Sequence, residues 1–277
     1  MLTGKTTLIA HLGFPTEAFK APMIYNPWFE RQGIDALVVP MGIRAQDYPQ
    51  ALDTLSRMTN LRGALVTMPH KVTTLGLVRE ASTAARIAGA SNALLRRGDG
   101  SWYAEQFDGI GFTRGLRRKG RTVQDQSVLV VGCGGVGSAI AAAIAAEAPA
   151  RLDLFDSSGA AADALRQRLL QFYPQLDVRC GSNDPAGHGI VVNATPLGMK
   201  EDDPLPFDVQ RIAPGAFIGE VVMKNEYTPL LRAARGRGCD VQLGVDMLFE
   251  MIPAYLEFFG FGTASPDDLR AVARIQY

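Results

Sequence analysis

The chain has few of the residues that build metal centres and disulfide frameworks. Among its 277 residues there are 3 cysteines and 3 histidines. They are scattered and include no C-x-x-C pair: Cys133, Cys180, Cys239, His11, His70 and His188. This spacing argues against a disulfide framework and against a zinc ribbon. The sequence therefore predicts no metal site.

The chain also lacks an excess of charge of either sign. Lysine and arginine total 28, aspartate and glutamate total 28, and the formal net charge is zero. Such a protein offers no strong field to nucleic acid or to acidic membranes. The basic run at residues 117–121 is interpreted as a solvated helix end and linker rather than a polyanion site. No nucleic-acid partner is expected.

Long hydrophobic runs are absent as well. Residues 1–7 have no hydrophobic signal region, and no apolar stretch approaches the length that spans a bilayer. We therefore expect a cytoplasmic protein without a membrane partner.

A glycine-rich turn stands near the middle of the chain. Residues 128–139 read Val-Leu-Val-Val-Gly-Cys-Gly-Gly-Val-Gly-Ser-Ala, an apolar strand that leads through the turn into an alanine-rich helix at 138–146. Gly132 permits a tight turn, Gly134 allows the backbone to approach a pyrophosphate, and Gly137 allows close packing of helix on strand. A second strand at 151–155 ends at Asp156, about 20 residues after the glycines, where a carboxylate can bind a ribose. This order predicts a dinucleotide site rather than an ordinary glycine-containing turn.

The position of the turn divides the chain. A dinucleotide-binding unit starts with its first strand, so the preceding residues, about 120 of them, form another domain. The first part is predicted to contain strands at 7–13, 36–41, 62–67, 92–96 and 102–105, with helices at 21–32 and 48–59 and a further segment at 72–81. A Gly-Asp-Gly turn at 98–100 makes the last two strands an antiparallel hairpin, so the sheet is mixed.

The second part alternates strands and helices, which is typical of a doubly wound parallel sheet. Its strands are predicted at 128–131, 151–155, 176–179, 189–193, 216–220 and 239–243, with a bridging helix at 109–119 and final helices at 246–259 and 266–275. The fold class is therefore α/β, with a mixed-sheet domain and a Rossmann domain.

Ligands of open parallel sheets bind beyond the carboxyl ends of the strands. The segments that follow the predicted strands are Thr-Met-Pro-His-Lys at 67–71, the glycine turn, Asp156, Asn-Ala-Thr-Pro-Leu-Gly at 193–198 and Gly-Val-Asp-Met-Leu at 244–248. Lys71 and Asp108 stand out as the ionisable pair expected to border a cleft between the domains.

These segments, together with Gly-Ala-Ser-Asn at 89–92, Asp-Gly at 108–109 and Thr-Pro-Leu-Leu at 228–231, resemble in order the landmarks of the shikimate and quinate dehydrogenase family. The resemblance spans nearly the whole chain. It implies an N-terminal substrate domain at 1–109, completed by C-terminal helices at 246–277, and an NAD-binding domain at 110–245. A cleft is expected between them.

The resemblance also implies roles for individual residues. Lys71 and Asp108 would exchange a proton with the substrate hydroxyl while its carbon passes hydride to the nicotinamide. Burial in a closing cleft would lower the lysine pKa, and a nearby carboxylate would orient the lysine and oppose that shift. Thr67 and Asn92 would bind ring hydroxyls. The cofactor residues would be Gly132, Gly134, Gly135, Val136, Gly137, Asp156, Asn193, Thr195, Pro196, Gly244 and Met247.

Each of these residues also has a simpler interpretation. Lys71 alone could be a solvated lysine at a helix start, and Asp108 alone a helix cap. Thr67 and Asn92 could satisfy local backbone groups.

The chain departs from the family pattern at one end of the expected substrate pocket. Where the family has Ser-x-Ser-Pro, which binds the substrate carboxylate, residues 19–22 read Phe-Lys-Ala-Pro. Further differences are Leu65 for asparagine, Gln106-Phe107 for Asn-Thr, no tyrosine near Met223, and Glu250 for glutamine. Because the residues expected at the reacting hydroxyl are retained, we predict that the redox chemistry is kept and the substrate has changed.

Two of these residues suggest how the substrate has changed. Glu250 could repel a substrate anion, or bind a cationic or hydroxyl group. Lys20 could be a new partner for a carboxylate, with a solvated surface lysine as the alternative.

The residues after the second Rossmann strand predict the cofactor. NADP-using members carry Asn-Arg there, whereas this chain has Asp156 followed by Ser-Ser-Gly. A carboxylate accepts from a free ribose hydroxyl and repels a 2′-phosphate. The sequence therefore predicts NAD in preference to NADP.

The leading hypothesis is an NAD-dependent alcohol dehydrogenase, related to aromatic amino acid biosynthesis, whose substrate is a cyclic polyhydroxy carboxylic acid. Quinate or a shikimate analogue is expected ahead of shikimate. The alternatives are a true shikimate dehydrogenase and a non-catalytic protein that senses NAD or a metabolite. A monomer and a symmetric homodimer fit the sequence equally well.

Overall fold

The computed structural model describes residues 2–17 and 19–275. These residues form two compact units. The first unit runs to Phe107 and resumes at Ile252, and the second is Asp108–Met251.

The first unit is built on a six-stranded mixed sheet. Its strands are β1 Thr7–Gly13, β2 Ala36–Gly42, β3 Leu61–Val66, β4 Glu80–Ala81, β5 Ala93–Arg96 and β6 Trp102–Glu105. The strand order is β2-β1-β3-β5-β6-β4. Strands β1, β2 and β3 are parallel, whereas β5 is antiparallel to both β3 and β6. The predicted mixed sheet is confirmed.

Helices cover this sheet. They are α1 Pro22–Gln32, α2 Tyr48–Ser56, α3 Lys71–Leu77, α4 Thr83–Ala88 and α10 Pro266–Val272. The side chains of β1 alternate between the two faces, and Ala10 and Leu12 share a buried cluster with Tyr48 and Leu52 of α2. Helix α10 packs against α1, where the Arg274 N–H donates to the Met23 carbonyl at 2.8 Å.

The second unit contains a six-stranded sheet in which every neighbouring pair is parallel. Its strands are β7 Ser127–Val131, β8 Arg151–Phe155, β9 Val178–Cys180, β10 Ile190–Asn193, β11 Phe217–Glu220 and β12 Asp240–Gln242. Its helices are α5 Asp108–Arg118, α6 Gly135–Ala146, α7 Gly159–Phe172 and α8 Pro229–Gly236. The order β12-β11-β10-β7-β8-β9 reverses between β7 and β10, which is the arrangement of the predicted doubly wound sheet.

The structure differs from the predicted elements mainly at helix ends. Helix α6 begins at Gly135 rather than at 138, and α9, Gly244–Phe259, begins at 244 rather than 246. Both helices start on glycine, which has low helix propensity and is therefore read as part of the turn. Helix α4 was not predicted. Its N-terminus is capped by Ser82, whose hydroxyl accepts from the Ala85 N–H at 3.1 Å.

Helix α5 is held against α6 through a glycine. A Cβ atom on Gly109 would overlap the carbonyl oxygen of Ala139 and lie 2.8 Å from the Cβ of Ala143. Glycine at this position therefore allows the two helix backbones to approach closely. This contact places Asp108, the first residue of α5, beside the helix that follows the glycine turn.

Within residues 2–17 and 19–275, the structure contains no helix with the length and apolar character needed to cross a membrane.

Substitution of Gly109 by alanine tests the packing of α5 on α6. We expect Gly109→Ala to lower the free energy of unfolding by about 1–3 kcal/mol, because the added methyl group has no space. Gly76→Ala in α3 is the matched control. Its Cβ would meet nothing within 4 Å, so it should raise stability by about 0.5–1 kcal/mol. Urea unfolding of the ligand-free proteins measures both, and a fully stable Gly109→Ala variant would contradict the packing argument.

Candidate active site

The carboxyl ends of β1 and β3 bring the first group of predicted site residues together. Thr67 follows β3, and its N–H donates to the Leu12 carbonyl at 2.9 Å. A Cβ on Gly13 would overlap the methyl group of Thr67 and lie 2.8 Å from the Cζ of Phe19. Glycine at the end of β1 therefore makes room for both Thr67 and Phe19.

Lys71 and Asn92 lie close along the same edge. Lys71 is the first residue of α3, and its carbonyl accepts from the Ser91 N–H at 2.8 Å. Asn92 is buried, and its Oδ1 accepts from the Phe107 N–H at 2.9 Å. Among the described residues, the Asn92 Nδ2 has no hydrogen-bond partner. A buried amide donor left in this way costs free energy, and a ligand oxygen could satisfy it.

Asp108 follows Phe107 directly and opens α5 in the second unit. Its side chain is buried with 3% of the residue exposed. An acidic residue in the first turn of a helix is stabilised by the helix dipole.

The sequence reasoning missed His11, which lies on β1 and stacks on Phe19 with ring centroids 4.0 Å apart. Burial, and secondarily the positive charge of Lys71, lower the pKa of His11 to about 4. The signal was a polar side chain inside an otherwise apolar strand. Lys20, one residue beyond Phe19, is half-buried, and its pKa is lowered by that burial.

The glycine turn has the geometry of an anion cradle. Gly132 has a φ of 102°, which favours glycine, and a Cβ on Gly137 would overlap the Gly132 carbonyl oxygen. A Cβ on Gly134 would meet nothing within 4 Å. Helix α6 begins at Gly135, directly after Gly134, and the first N–H groups of a helix have no partner within it. These residues, with Val136, fit a dinucleotide pyrophosphate.

A second loop lies against this turn. The Asn193 Oδ1 accepts from the Thr195 hydroxyl at 2.6 Å, and its Nδ2 donates to the Leu197 carbonyl at 3.0 Å. A Cβ on Gly132 would be 2.8 Å from the carbonyl carbon of Ala194. The loop that carries Thr195 and Pro196 is therefore internally hydrogen-bonded and closely packed on the glycine turn.

The start of α9 carries the last of the predicted cofactor residues. A Cβ on Gly244 would overlap the Val222 carbonyl oxygen, so the helix begins directly against the chain that follows β11. Met247 is buried, and its carbonyl oxygen would lie 2.6 Å from a Cβ on Gly111 of α5. Glycines at both positions allow these close approaches.

Asp156 lies after β8, as predicted, but its carboxylate binds the protein backbone. Its Oδ2 accepts from the Cys133 N–H at 2.7 Å, and its Oδ1 accepts from the Ser158 N–H at 2.8 Å. The carboxylate thus connects the glycine turn to the turn after β8.

Glu250 is a buried residue of α9, and its Oε1 lies 3.5 Å from the Nη1 of Arg118 at the end of α5. This ion pair offsets the negative charge of the carboxylate and gives Glu250 a structural function. A direct effect of Glu250 on the substrate stays a prediction.

Glu220 ends β11 and was not predicted as a site residue. It is fully buried, and its Oε2 accepts from the Thr228 hydroxyl at 2.6 Å. Its Oε1 has no hydrogen-bond partner among the described residues and would lie 3.3 Å from a Cβ on Gly198. Burial raises the pKa of Glu220 to about 7, although the Thr228 bond opposes the shift.

No group of three or more histidine, cysteine, aspartate or glutamate side chains that could hold a metal ion occurs in the part of the chain that the structure describes.

The pKa of Glu220 predicts a pH-dependent stability. The folded protein binds this proton more tightly than the unfolded chain, whose glutamate titrates near 4.5. The protonated Glu220 therefore makes its full contribution to the free energy of unfolding below about pH 4.5. This contribution, up to about 3 kcal/mol, is lost as the pH rises through about 7. We expect Glu220→Gln to become more stable relative to the wild type over this range. Denaturant unfolding at several pH values measures the difference, with the exposed Glu226→Gln as the flat control. A pH-independent difference for Glu220→Gln would contradict the shift.

The glycine turn supplies another pair of substitutions. Gly137→Ala should lower the free energy of unfolding of the ligand-free protein by about 1–3 kcal/mol, because its methyl group would overlap the Gly132 carbonyl. Gly134→Ala should leave that stability nearly unchanged and weaken dinucleotide binding at least tenfold, since its methyl group enters the open cradle. Thermal unfolding and calorimetric titration separate the two effects. Equal cofactor affinity in Gly134→Ala and wild type would argue against the cradle.

Comparisons with known proteins agree with this arrangement. A family model described as the shikimate dehydrogenase substrate binding domain matches residues 12–94. The NADP(+) shikimate dehydrogenase of Acidiphilium cryptum is 34% identical over 275 residues, which cover 99% of this chain and 98% of the relative. The NADP(+) shikimate dehydrogenase of Rhodospirillum rubrum is 30% identical, with 98% of each chain covered.

A solved structure shares the complete fold. The quinate dehydrogenase of Corynebacterium glutamicum in complex with NAD superposes with a TM-score of 0.87 and 26% identity, covering 96% of this chain and 98% of the other.

These comparisons correct the cofactor prediction. The preference for NAD over NADP is wrong, because the curated relatives that match along nearly the whole chain are named for NADP(+). The structure supplies the physical reason for the error. The prediction treated Asp156 as a carboxylate available to a ribose, whereas both of its oxygens already accept backbone N–H groups.

Proposed function

The chain belongs to the shikimate dehydrogenase family, and from that premise we propose that it transfers hydride between NADP and a ring hydroxyl or ketone of a cyclic polyhydroxy carboxylic acid. Membership makes it an oxidoreductase of the shikimate and quinate dehydrogenase type. The observation that carries the proposal is the polar edge formed by Thr67, Lys71 and Asn92, where a buried amide donor is available to a substrate oxygen.

We assign the two functions to different parts of the chain. Residues 1–109, completed by helices within 246–277, bind the substrate, and residues 110–245 bind the dinucleotide. The matching model for a substrate binding domain at 12–94 supports the first assignment. The glycine cradle at the start of α6 supports the second.

The dinucleotide supplies a nicotinamide carbon that accepts or returns hydride. The chain's own residues bind and orient it. The N-terminus of α6 would hold the pyrophosphate through its backbone N–H groups and the positive end of the helix dipole. Asn193, Thr195 and Pro196 belong to a loop with internal hydrogen bonds. Gly244 and Met247 lie in the first turn of α9.

Lys71 and Asp108 act at the reacting hydroxyl. The Lys71 ammonium gives a proton to the carbonyl oxygen during reduction and its amine takes one during oxidation, while the Asp108 carboxylate orients the hydroxyl. Thr67 and the Asn92 Nδ2 bind neighbouring hydroxyls and fix the orientation of the ring.

The substituted end of the pocket favours quinate or a shikimate analogue over shikimate. Phe19 and Ala21 offer no hydroxyl to a carboxylate, and Lys20 is the cation in this segment that can replace them. Lys20 is half-buried, and this burial lowers the pKa of its ammonium. Glu250 could influence the same choice, although its ion pair with Arg118 weakens any repulsion of an anion.

A second candidate is shikimate itself. The relative from Acidiphilium cryptum bears the name shikimate dehydrogenase at 34% identity. Activity with shikimate that exceeds activity with quinate would favour this candidate.

Steady-state kinetics with NADP or NADPH and a panel of cyclic hydroxy acids tests the proposed function. We expect Lys71→Met and Asp108→Asn each to lower kcat by a factor of about 100 to 10,000, since each removes a group that handles the proton. Lys5→Met, at an exposed lysine in the same unit as Lys71, is the control for loss of a surface charge.

Two outcomes would contradict the proposal. Full activity in Lys71→Met would exclude Lys71 from the chemistry. NADP binding without turnover of any ring compound would show that the protein senses the dinucleotide or a metabolite instead of catalysing.

A further inference from the structure

The side chain of His11 points to the face of the first sheet that carries the candidate substrate residues. Ala10 and Leu12 belong to the buried cluster on one face of β1. Successive side chains of a strand point to opposite faces, so His11 and Gly13 share the other face. On that face, Gly13 is in close contact with Thr67 and Phe19.

The register of the sheet places His11 and Thr67 on the same face. In the parallel pair of β1 and β3, His11 is the partner of Leu65. Thr67 lies two residues beyond Leu65, which is the same spacing that separates Gly13 from His11. Gly13 is therefore level with Thr67, and His11 lies two residues before Gly13 on the same face. Lys71, the first residue of α3, follows Thr67 by four residues.

The ring of His11 is held in place but not fully hydrogen-bonded. It stacks on Phe19 at 4.0 Å with an interplanar angle of 26°, and the residue is 8% exposed. Its Nδ1 is buried and has no hydrogen-bond partner among the described residues. A buried polar atom without a partner destabilises the folded protein, so a phenylalanine would serve the stacking better. The nitrogen is therefore best explained by a ligand.

The charge state of His11 limits the group that it can bind. Burial and the charge of Lys71 keep the pKa at about 4, so the ring is neutral near neutral pH. A neutral imidazole has one N–H donor and one acceptor nitrogen, and a hydroxyl can pair with either because it both donates and accepts. A carboxylate can only accept, and it would lose its water beside a phenyl ring.

We propose that the Nδ1 of His11 binds a hydroxyl on a saturated ring carbon of the substrate, while Phe19 packs against the adjacent ring face. This inference rests on the proposed function and names the substrate class of the same site. We assign this hydroxyl to the ring carbon that bears the carboxylate, because His11 stacks on Phe19, which lies in the segment expected at the carboxylate end of the substrate. That carbon carries a hydroxyl only in a saturated polyhydroxy ring such as quinate. Quinate and shikimate are a matched pair for the test, since the tertiary hydroxyl of quinate is replaced in shikimate by a ring double bond.

The test compares quinate and shikimate in the wild type, His11→Phe and His11→Asn, with NADP as the oxidant. His11→Phe retains an aromatic ring and removes both nitrogens. We expect kcat/KM for quinate to fall about tenfold in His11→Phe, the cost of one hydrogen bond to a neutral group, while kcat/KM for shikimate changes less than threefold. His11→Asn places an amide near the position of Nδ1 and should restore part of the preference for quinate.

His70→Phe is the matched control in the same unit. The His70 ring stacks on Tyr48 at 3.9 Å, and its Nε2 is hydrogen-bonded to the Ile43 carbonyl at 2.8 Å. Its replacement should lower the melting temperature and change kcat/KM for quinate and for shikimate by the same factor. His11→Phe should melt at the wild-type temperature or above, because it removes an unpaired buried nitrogen.

Two results would overturn the inference. Equal losses for quinate and shikimate in His11→Phe would assign His11 a structural role, and no loss for either would remove it from the site. Calorimetric titration measures the binding of both acids without turnover, so it tests the role of His11 separately from the proposed function. If the wild type turns over neither acid, the proposed function fails. The selective loss of quinate binding in His11→Phe then still decides the inference, and its absence overturns it.

Discussion

The close approach of backbones at glycine is the constraint on which the candidate cofactor site depends. A side chain on Gly137 would overlap the Gly132 carbonyl, so α6 can start directly above β7 only if this residue is glycine. Helix α5 packs on the same helix at Gly109. This contact determines the position of Asp108, the first residue of α5. The cradle for an anion and the position of a proposed catalytic carboxylate therefore depend on contacts that a single methyl group would break.

Buried polar groups lie within the otherwise apolar core of the first unit. Among the described residues, the Asn92 amide and the His11 imidazole each have one buried atom without a hydrogen-bond partner. Groups of this kind cost stability in the ligand-free protein and become favourable when a ligand oxygen arrives. In the proposed function they would provide specificity for hydroxyl positions on a ring, because an analogue that lacks the hydroxyl leaves the cost in place.

Asp156 led to the wrong cofactor prediction because its sequence position does not show which groups its carboxylate binds. Asp156 occurs at the position where a carboxylate selects a free ribose, and the predicted strand and turn around it are present. Its oxygens nevertheless accept the N–H groups of Cys133 and Ser158, which gives Asp156 a structural role in this chain. A carboxylate that stabilises a loop and one that recognises a ligand have the same appearance in sequence.

The sequence by itself determined the α/β class, the mixed and doubly wound sheets, the glycine turn and the positions along the chain of Lys71 and Asp108. These features depend on local patterns, namely apolar periodicity, turn residues and the order of short motifs. Only the tertiary structure decided that His11 stacks on Phe19, that Glu220 is buried against Thr228, and that the Asn92 Nδ2 has no hydrogen-bond partner in the described part of the chain. The physical reason is that burial and hydrogen bonding depend on partners from distant segments, which meet only when the sheets form.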